Sequence, residues 1–183
     1  MALQLTLAGW AVVELGLRIR ERLQGRGGAA RDRATRAWIA IALAGAFLLA
    51  AAVASRTVGP RIAGPHRAAG LVVTWLGLAI RVWAIAVLGR SFRTTVEVDP
   101  QQAVIATGPY RWVRHPSYTG LLLIVAGFGL ATGYWLALVV CVALPLPALL
   151  RRIRVEEAEL ARVLGDRYRA YQANTKRLVP GLW

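Results

Sequence analysis

Four stretches of this chain are too apolar and too long for a water-soluble fold: Leu3 to Ile19, Ala37 to Ala54, Ala69 to Leu88, and Tyr118 to Leu150. A bilayer core of about 30 Å is crossed by ~17–25 helical residues. Inside it every backbone N–H and C=O must find a partner within the protein, which selects helices or closed barrels. The first three stretches each supply one crossing. The fourth is too long for one and is interrupted at Ala131-Thr132-Gly133-Tyr134, where small and polar residues permit a tight turn. It therefore reads as a helical hairpin with arms near the lower length limit. Pro145 and Pro147 should kink the second arm, because each removes a backbone donor. The expectation is an all-α integral membrane protein with about five transmembrane helices.

Composition agrees. Of 183 residues, 57% are hydrophobic and 17% charged, against about 45–50% and 25% in soluble domains. The formal net charge is +14, with 23 basic residues against 9 acidic ones. So basic a balance can signal a nucleic-acid partner, but such a binder has no need of several membrane-length apolar runs, so no nucleic acid is expected. Cys141 is the only cysteine and His66 and His115 the only histidines. That argues against an internal disulfide, a cysteine-based metal site or a His-rich metal centre. The arginines near the N-terminus follow the first apolar run and do not precede it, so it reads as a retained span and not a cleaved signal peptide.

Orientation follows from the arginines in short loops. One basic group is Arg18, Arg20, Arg22, Arg26, Arg31, Arg33 and Arg36; a second is Arg90, Arg93, Arg111 and Arg114; a third is the tail from Arg151 to Arg177. With five spans all three fall on one side, read as the cytoplasm, and Arg56, Arg61 and Arg67 fall opposite. The N-terminus is then outside and the C-terminus inside. Beyond Leu150 the residues Ile153, Leu160, Leu164, Tyr168 and Tyr171 form one apolar stripe at helical spacing, which predicts a cytosolic amphipathic helix along the membrane surface. Of the ionisable residues inside spans, Glu14 lies close enough to the basic end to snorkel. Arg81 is deeper and should face the bundle interior.

Two clusters border the hairpin on the predicted cytosolic face. The segment from Thr107 to Gly120 contains Gly108-Pro109-Tyr110 and Arg114-His115-Pro116-Ser117-Tyr118. His-Pro imposes an extended residue before a helix begins at proline, and such a helix start can hold an anionic group. The second cluster, Arg151 to Glu159, sets Arg152 and Glu156 four apart on one helix face. Aromatics and arginines beside a span are also ordinary interface anchors, and a charged helix face is ordinarily solvated. The residue types alone leave both readings open; the hairpin, by returning its ends to one membrane face, lets the two clusters border one pocket.

The run Gly108-Pro109-Tyr110, Arg114-His115-Pro116-Ser117-Tyr118 and Gly120 resembles the signature of the isoprenylcysteine carboxyl methyltransferase family, shared by related phospholipid methyltransferases. The tail is similar as well, in Arg152, Glu156-Glu157, Leu164-Gly165-Asp166-Arg167-Tyr168, Tyr171 and Arg177-Leu178-Val179-Pro180. The resemblance covers Gly89 to Pro180, so residues 1–88 read as the first three transmembrane helices of a single membrane domain and 89–183 as the methyltransferase core. It implies S-adenosylmethionine as cofactor, in a pocket on the cytosolic face. Carried over residue by residue, strand-like Gln102, Ala103, Val104 and Ile105 border the adenosyl group. Tyr110, His115, Pro116, Ser117 and Tyr118 close around the cofactor, Glu156 holds its hydroxyl or amino groups, and Arg152 faces the methyl acceptor. No metal is implied. Where the eukaryotic pattern has an acidic run before the glutamate pair, this chain has Arg154-Val155.

A carboxylate acceptor is ionised at pH 7 and needs no general base, whereas an amine must first lose a proton. Arg152 favours an anionic acceptor. The expectation is methylation of a lipid or isoprenoid acid in the inner (plasma) membrane of a prokaryote, among membrane lipids, with the active site cytoplasmic. Rival readings are a phospholipid N-methyltransferase, whose product is not base-labile, an NADPH-dependent membrane reductase, and a non-enzymatic membrane subunit.

Overall fold

The computed structural model describes residues 30–89 and 102–182, with Gly16 besides. The first expected span and Glu14 lie outside those residues. The described chain forms α1 (Ala30–Ser55), α2 (His66–Leu88), a 3-10 turn (Gly108–Arg111), α3 (Pro116–Ala131), α4 (Trp135–Ala143), α5 (Leu146–Leu164) and α6 (Asp166–Asn174). Among the described residues there is no β-strand, only two isolated bridges, Arg61 with Tyr134 and Val113 with Lys176. Among the described residues three helical stretches are long and apolar enough to cross a membrane, Ala34–Ser55, His66–Leu88 and Trp135–Leu164, and Pro116–Ala131 is a shorter apolar helix.

The closest packing in the bundle is between α2 and α3. On α2 the buried residues are Gly70, Thr74, Gly77, Arg81 and Ala84, alternately four and three apart. On α3 they include Gly120, Ile124, Gly127 and Ala131 at the same spacing. Lipid-immersed helices gain little from hydrophobic burial against each other, so contact depends on small residues that let backbones approach. A Cβ on Gly77 would lie 2.6 Å from the Gly120 carbonyl oxygen, and one on Gly70 would lie 2.5 Å from that of Gly127. Thr74 hides its hydroxyl by donating to the Gly70 carbonyl at 2.8 Å. The outward faces stay apolar and exposed, with Val72, Trp75, Leu76 and Val82 on α2, as befits a surface solvated by lipid.

A second core joins α1, α3 and α4. Ala50, Val125, Tyr134, Ala137 and Cys141 are buried there, and Phe47 meets Phe128 edge to face with centroids 4.7 Å apart. The loop between α1 and α2 clasps the hairpin turn: Ile62 N–H donates to the Gly133 carbonyl at 2.8 Å, and Trp135 N–H to that of Pro60 at 3.2 Å. The turn itself falls between Ala131 and Trp135, where the small-residue interruption places it.

Several expectations need correction. α1 begins at Ala30 and not Ala37, because the Arg-rich stretch before the apolar run is itself a good helix former. The kink in the second arm is as expected: the regular pattern lapses only at Leu144 and Pro145, which keep right-handed helical backbone, and resumes at Leu146 with Pro147 in the first turn, where a missing N–H costs nothing. The surface helix is two helices. Gly165, with φ +58°, ends α5 and starts α6, a left-handed conformation that glycine adopts without steric cost. Its stripe is nevertheless the inward side, since Ile153, Leu164 and Tyr168 are buried. Finally, Gln102 to Ile105 is irregular chain, not strand-like.

The α2–α3 contact makes a direct prediction. Gly77→Ala and Gly127→Ala should each destabilise the protein by about 1–3 kcal/mol, since the added methyl meets backbone that cannot step aside. Gly45→Ala on α1 meets only the end of the Leu144 side chain at 3.4 Å and should be neutral or slightly stabilising. Thermal unfolding in detergent distinguishes them; equal melting temperatures for Gly77→Ala and Gly45→Ala would contradict this packing account.

Candidate active site

The site is assembled where α3 begins. The chain enters it through the turn Gly108–Arg111, in which Pro109 and Tyr110 are buried. Tyr171 on α6 donates its hydroxyl to the Tyr110 carbonyl at 2.6 Å. The C-terminal segment then runs beside residues 112–115: Arg114 N–H donates to the Lys176 carbonyl at 2.7 Å and His115 N–H to that of Arg177 at 3.0 Å. Thr119 adds a side-chain bond to the Leu178 carbonyl at 2.7 Å. His115 is the N-cap of α3 with Pro116 next, in the first turn. The opposite side of this turn is held from α2, where Arg81 Nη1 donates to both the carbonyl (3.0 Å) and the hydroxyl (2.7 Å) of Ser117. Arg81 thus faces the bundle interior, as expected of a cation within a span.

Two adjacent carboxylates on α5 organise the cations around them. Neighbouring helix residues point about 100° apart, so Glu156 and Glu157 serve different sides. Glu156 Oε1 accepts from the Tyr118 hydroxyl at 2.6 Å and from Arg152 Nε at 2.8 Å. Arg152, only 1% exposed, also donates from Nη1 to Thr35 Oγ1 on α1 at 3.0 Å. Glu157 Oε1 accepts from Arg114 Nε at 2.8 Å, and its Oε2 from Arg177 Nε at 3.0 Å. His115 stands between the pair, with Nδ1 3.6 Å from Glu156 Oε2 and Nε2 3.3 Å from Glu157 Oε1. Its ring stacks with that of Tyr118 at a centroid distance of 5.8 Å. Arg114 further donates to the Gln172 carbonyl at 3.0 Å and to that of Thr175.

These surroundings set the chemistry of each group. Burial alone would push the Glu157 carboxyl up, but hydrogen bonds from His115 and Arg114 outweigh it and hold the group down at about 2. Burial, with Tyr171 and Glu156 nearby, pushes the Tyr110 hydroxyl well above the tyrosine range, so it remains a neutral donor. Glu156 and Glu157 lie beyond the apolar part of the last span, which gives way to charge at Arg151.

The structure brings Tyr110, His115, Pro116, Ser117, Tyr118, Arg152 and Glu156 into one neighbourhood. Pro116 is fully buried and Ser117 is occupied by Arg81. Arg152 is enclosed between Glu156 and Thr35 and does not line an open surface. Gln102, Val104 and Ile105 are half-buried and Ala103 is exposed; no described contact joins these four to the charged cluster. Sequence reasoning missed Thr35 and left Arg114, Glu157 and Arg177 in the quoted motifs without an assigned role. The doubled glutamate was a usable signal for Glu157, because two adjacent carboxylates at a helix's exit from lipid call for cations on two sides. Nothing local marks Thr35.

The Glu157 clamp is testable through pH. Its folded pKa lies below the ordinary 4.5, so its contribution to stability is fully present above about pH 4.5 and is lost as pH falls toward 2. Glu157→Gln leaves buried Arg114 uncompensated and should cost about 3 kcal/mol at pH 7. The gap between wild-type and variant melting temperatures should close between pH 4.5 and pH 2; a gap that stays constant over that range would refute the clamp.

Similarity to known proteins falls on this half of the chain. A probable protein-S-isoprenylcysteine O-methyltransferase of Oryza sativa subsp. indica is 32% identical over 104 residues, 56% of this chain and 54% of the rice protein. The protein-S-isoprenylcysteine O-methyltransferase of Schizosaccharomyces pombe is 28% identical over 107 residues, 57% of this chain and 45% of the yeast protein. The chain therefore spans about half the length of the curated relatives it matches. The solved structure of the eukaryotic intramembrane Ras methyltransferase ICMT superposes with a TM-score of 0.57 at 29% identity, over 62% of this chain and 41% of that one. The fold is that of an integral membrane protein. Residues 69–162, just over half of the sequence, match the model of the isoprenylcysteine carboxyl methyltransferase (ICMT) family, and the chain belongs to that family.

Proposed function

We propose that the chain is a membrane methyltransferase that uses S-adenosylmethionine to methylate the carboxylate of an isoprenylcysteine-like or other isoprenoid acid. The observation that carries this reading is Glu156. It is a carboxylate fixed by Tyr118 and Arg152 beside the His115 cap of α3, within the stretch that matches the family.

The donor set fits the cofactor. Glu156 Oε1 is committed to Tyr118 and Arg152, but among the described residues Oε2 has only the 3.6 Å contact with His115 and keeps capacity to accept from ribose hydroxyls or an ammonium. Tyr118 bonds Glu156, and Tyr110 lies within electrostatic reach of that carboxylate; the faces of such rings attract cations such as a sulfonium. The irregular chain at 102–106 makes no backbone hydrogen bond to other described residues, which suits a segment that borders an adenosyl group through its main chain. In this reading Gln102, Ala103, Val104, Ile105, Tyr110, His115, Tyr118 and Glu156 hold the cofactor, while Pro116, fully buried, and Ser117, bonded to Arg81, shape the helix start behind it. When bound, S-adenosylmethionine supplies an electrophilic methyl group on a good leaving group.

The protein's task is then placement. An ionised carboxylate attacks without a general base, so alignment accounts for most of the acceleration. Arg152 is the cation assigned to the acceptor. α3 is 16 residues long, about 24 Å at 1.5 Å per residue, shorter than a ~30 Å hydrocarbon core. Its N-terminal turn therefore stops at or just inside the head-group boundary, where the polar end of an acceptor can meet it from the lipid side while an isoprenoid tail stays in the bilayer. The arginine-rich loops favour a cytoplasmic site in a prokaryotic plasma membrane.

Calorimetry on the detergent-purified protein should detect micromolar binding of S-adenosylmethionine and S-adenosylhomocysteine, weakened at least tenfold by Glu156→Ala and by His115→Ala. With a farnesylated cysteine derivative as acceptor, the labelled product should be a base-labile methyl ester. Folded wild-type protein that binds neither cofactor form would overturn the reading, and a base-stable product on a phospholipid amine would replace the acid acceptor with an amine.

A further inference from the structure

We infer that Thr35 on α1 is a positioning residue for this site, so that cofactor affinity depends on a helix lying wholly outside the stretch that matches the family. The inference rests on the methyltransferase reading and adds a residue to it. Along the first described turns of α1, Ala34, Ala37 and Trp38 are exposed and Arg36 is half-buried, while Thr35 is buried, 5% exposed. What it is buried against is charged. Its hydroxyl oxygen lies 3.0 Å from Arg152 Nη1, and Arg152 is the largest fully buried side chain among the described residues.

A cation so enclosed is tolerated only when its donors are met. Arg152 meets Glu156 with Nε at 2.8 Å and Thr35 with Nη1 at 3.0 Å. Because guanidinium is planar with its donors in a fixed fork, anchoring Nη1 on α1 fixes the direction of Nε. Nε in turn fixes Glu156 Oε1, already shared with the Tyr118 hydroxyl at 2.6 Å. Thr35 therefore acts at one remove: it touches neither Glu156 nor His115, and it sets the rotamer of the arginine that sets the carboxylate. The family match begins at residue 69, so α1 supplies the site with a contact from before the matched stretch, besides its apolar packing on α3 and α4.

The experiment compares Thr35→Ser, Thr35→Val and Thr35→Ala in the full chain, measuring the dissociation constant for S-adenosylhomocysteine together with the melting temperature. Serine keeps the hydroxyl, valine keeps the shape without it, and alanine lacks both. The expected result is a roughly tenfold weaker dissociation constant for valine and alanine, with serine within about twofold of wild type, independent of the order of melting temperatures. A dissociation constant unchanged in Thr35→Val, or in Thr35→Ala should the valine variant not fold, would overturn the inference. So would equal weakening in Thr35→Ser, which would make the effect one of packing. Wild-type protein that is folded and binds no S-adenosylhomocysteine would overturn the underlying reading instead.

Discussion

The adjacent carboxylates of Glu156 and Glu157 are the point on which this arrangement turns. Arg152 is almost fully buried and Arg114 nearly so, and each would be costly without a counter-charge. Two consecutive helix residues neutralise two sides of the cluster. Glu156 looks toward α3 and, through Arg152, toward α1; Glu157 looks toward the C-terminal segment through Arg114 and Arg177. Elements that have little hydrophobic reason to meet at the edge of a lipid phase are thereby held together by charge. The exposed pairs Arg162–Glu159 and Arg169–Asp166 share the chemistry but, in water, hold little.

The charge cluster needs a frame, and the glycines of α2 and α3 supply it. Backbones that approach this closely place Arg81 on the same stripe as Gly77 and bring its guanidinium to the first turn of α3. The start of α3 is then fixed from three directions: Arg81 from within the bundle, the 176–178 strap from the tail, and Glu156–Glu157 from α5. A site that transfers a group between two bound molecules depends on such immobility, since alignment supplies much of the rate. It also explains why the residues sit on helix ends and short straps, with helix interiors left to packing and lipid.

Much of the fold was legible because lipid imposes a simple grammar. The runs Ala37–Ala54 and Ala69–Leu88 read as spans, and the hairpin turn at Ala131–Tyr134 read as a break, because length, apolarity and small residues are local properties. Local signals were less decisive where two outcomes share one pattern. The Ile153–Tyr171 stripe looks continuous through Gly165, yet that glycine turns the chain. Gln102–Ile105 carries two β-branched residues, Val104 and Ile105, and no partner edge among the described residues to make it a strand.

In the site, sequence by itself determined the residue inventory: a His-Pro helix start with tyrosine beside it, and an arginine four residues before a glutamate pair on one helix face. Those are consequences of spacing, and spacing is written in the chain. Tertiary structure alone decided how the inventory is wired. Thr35 meets Arg152 across 117 positions of sequence, Arg114 meets Glu157 across 43, and Arg81 meets Ser117 across 36. No local propensity encodes such pairs. They arise because a buried cation must find whatever acceptor the packed bundle brings within 3 Å or so, and which acceptor that is depends on how closely the helices pack.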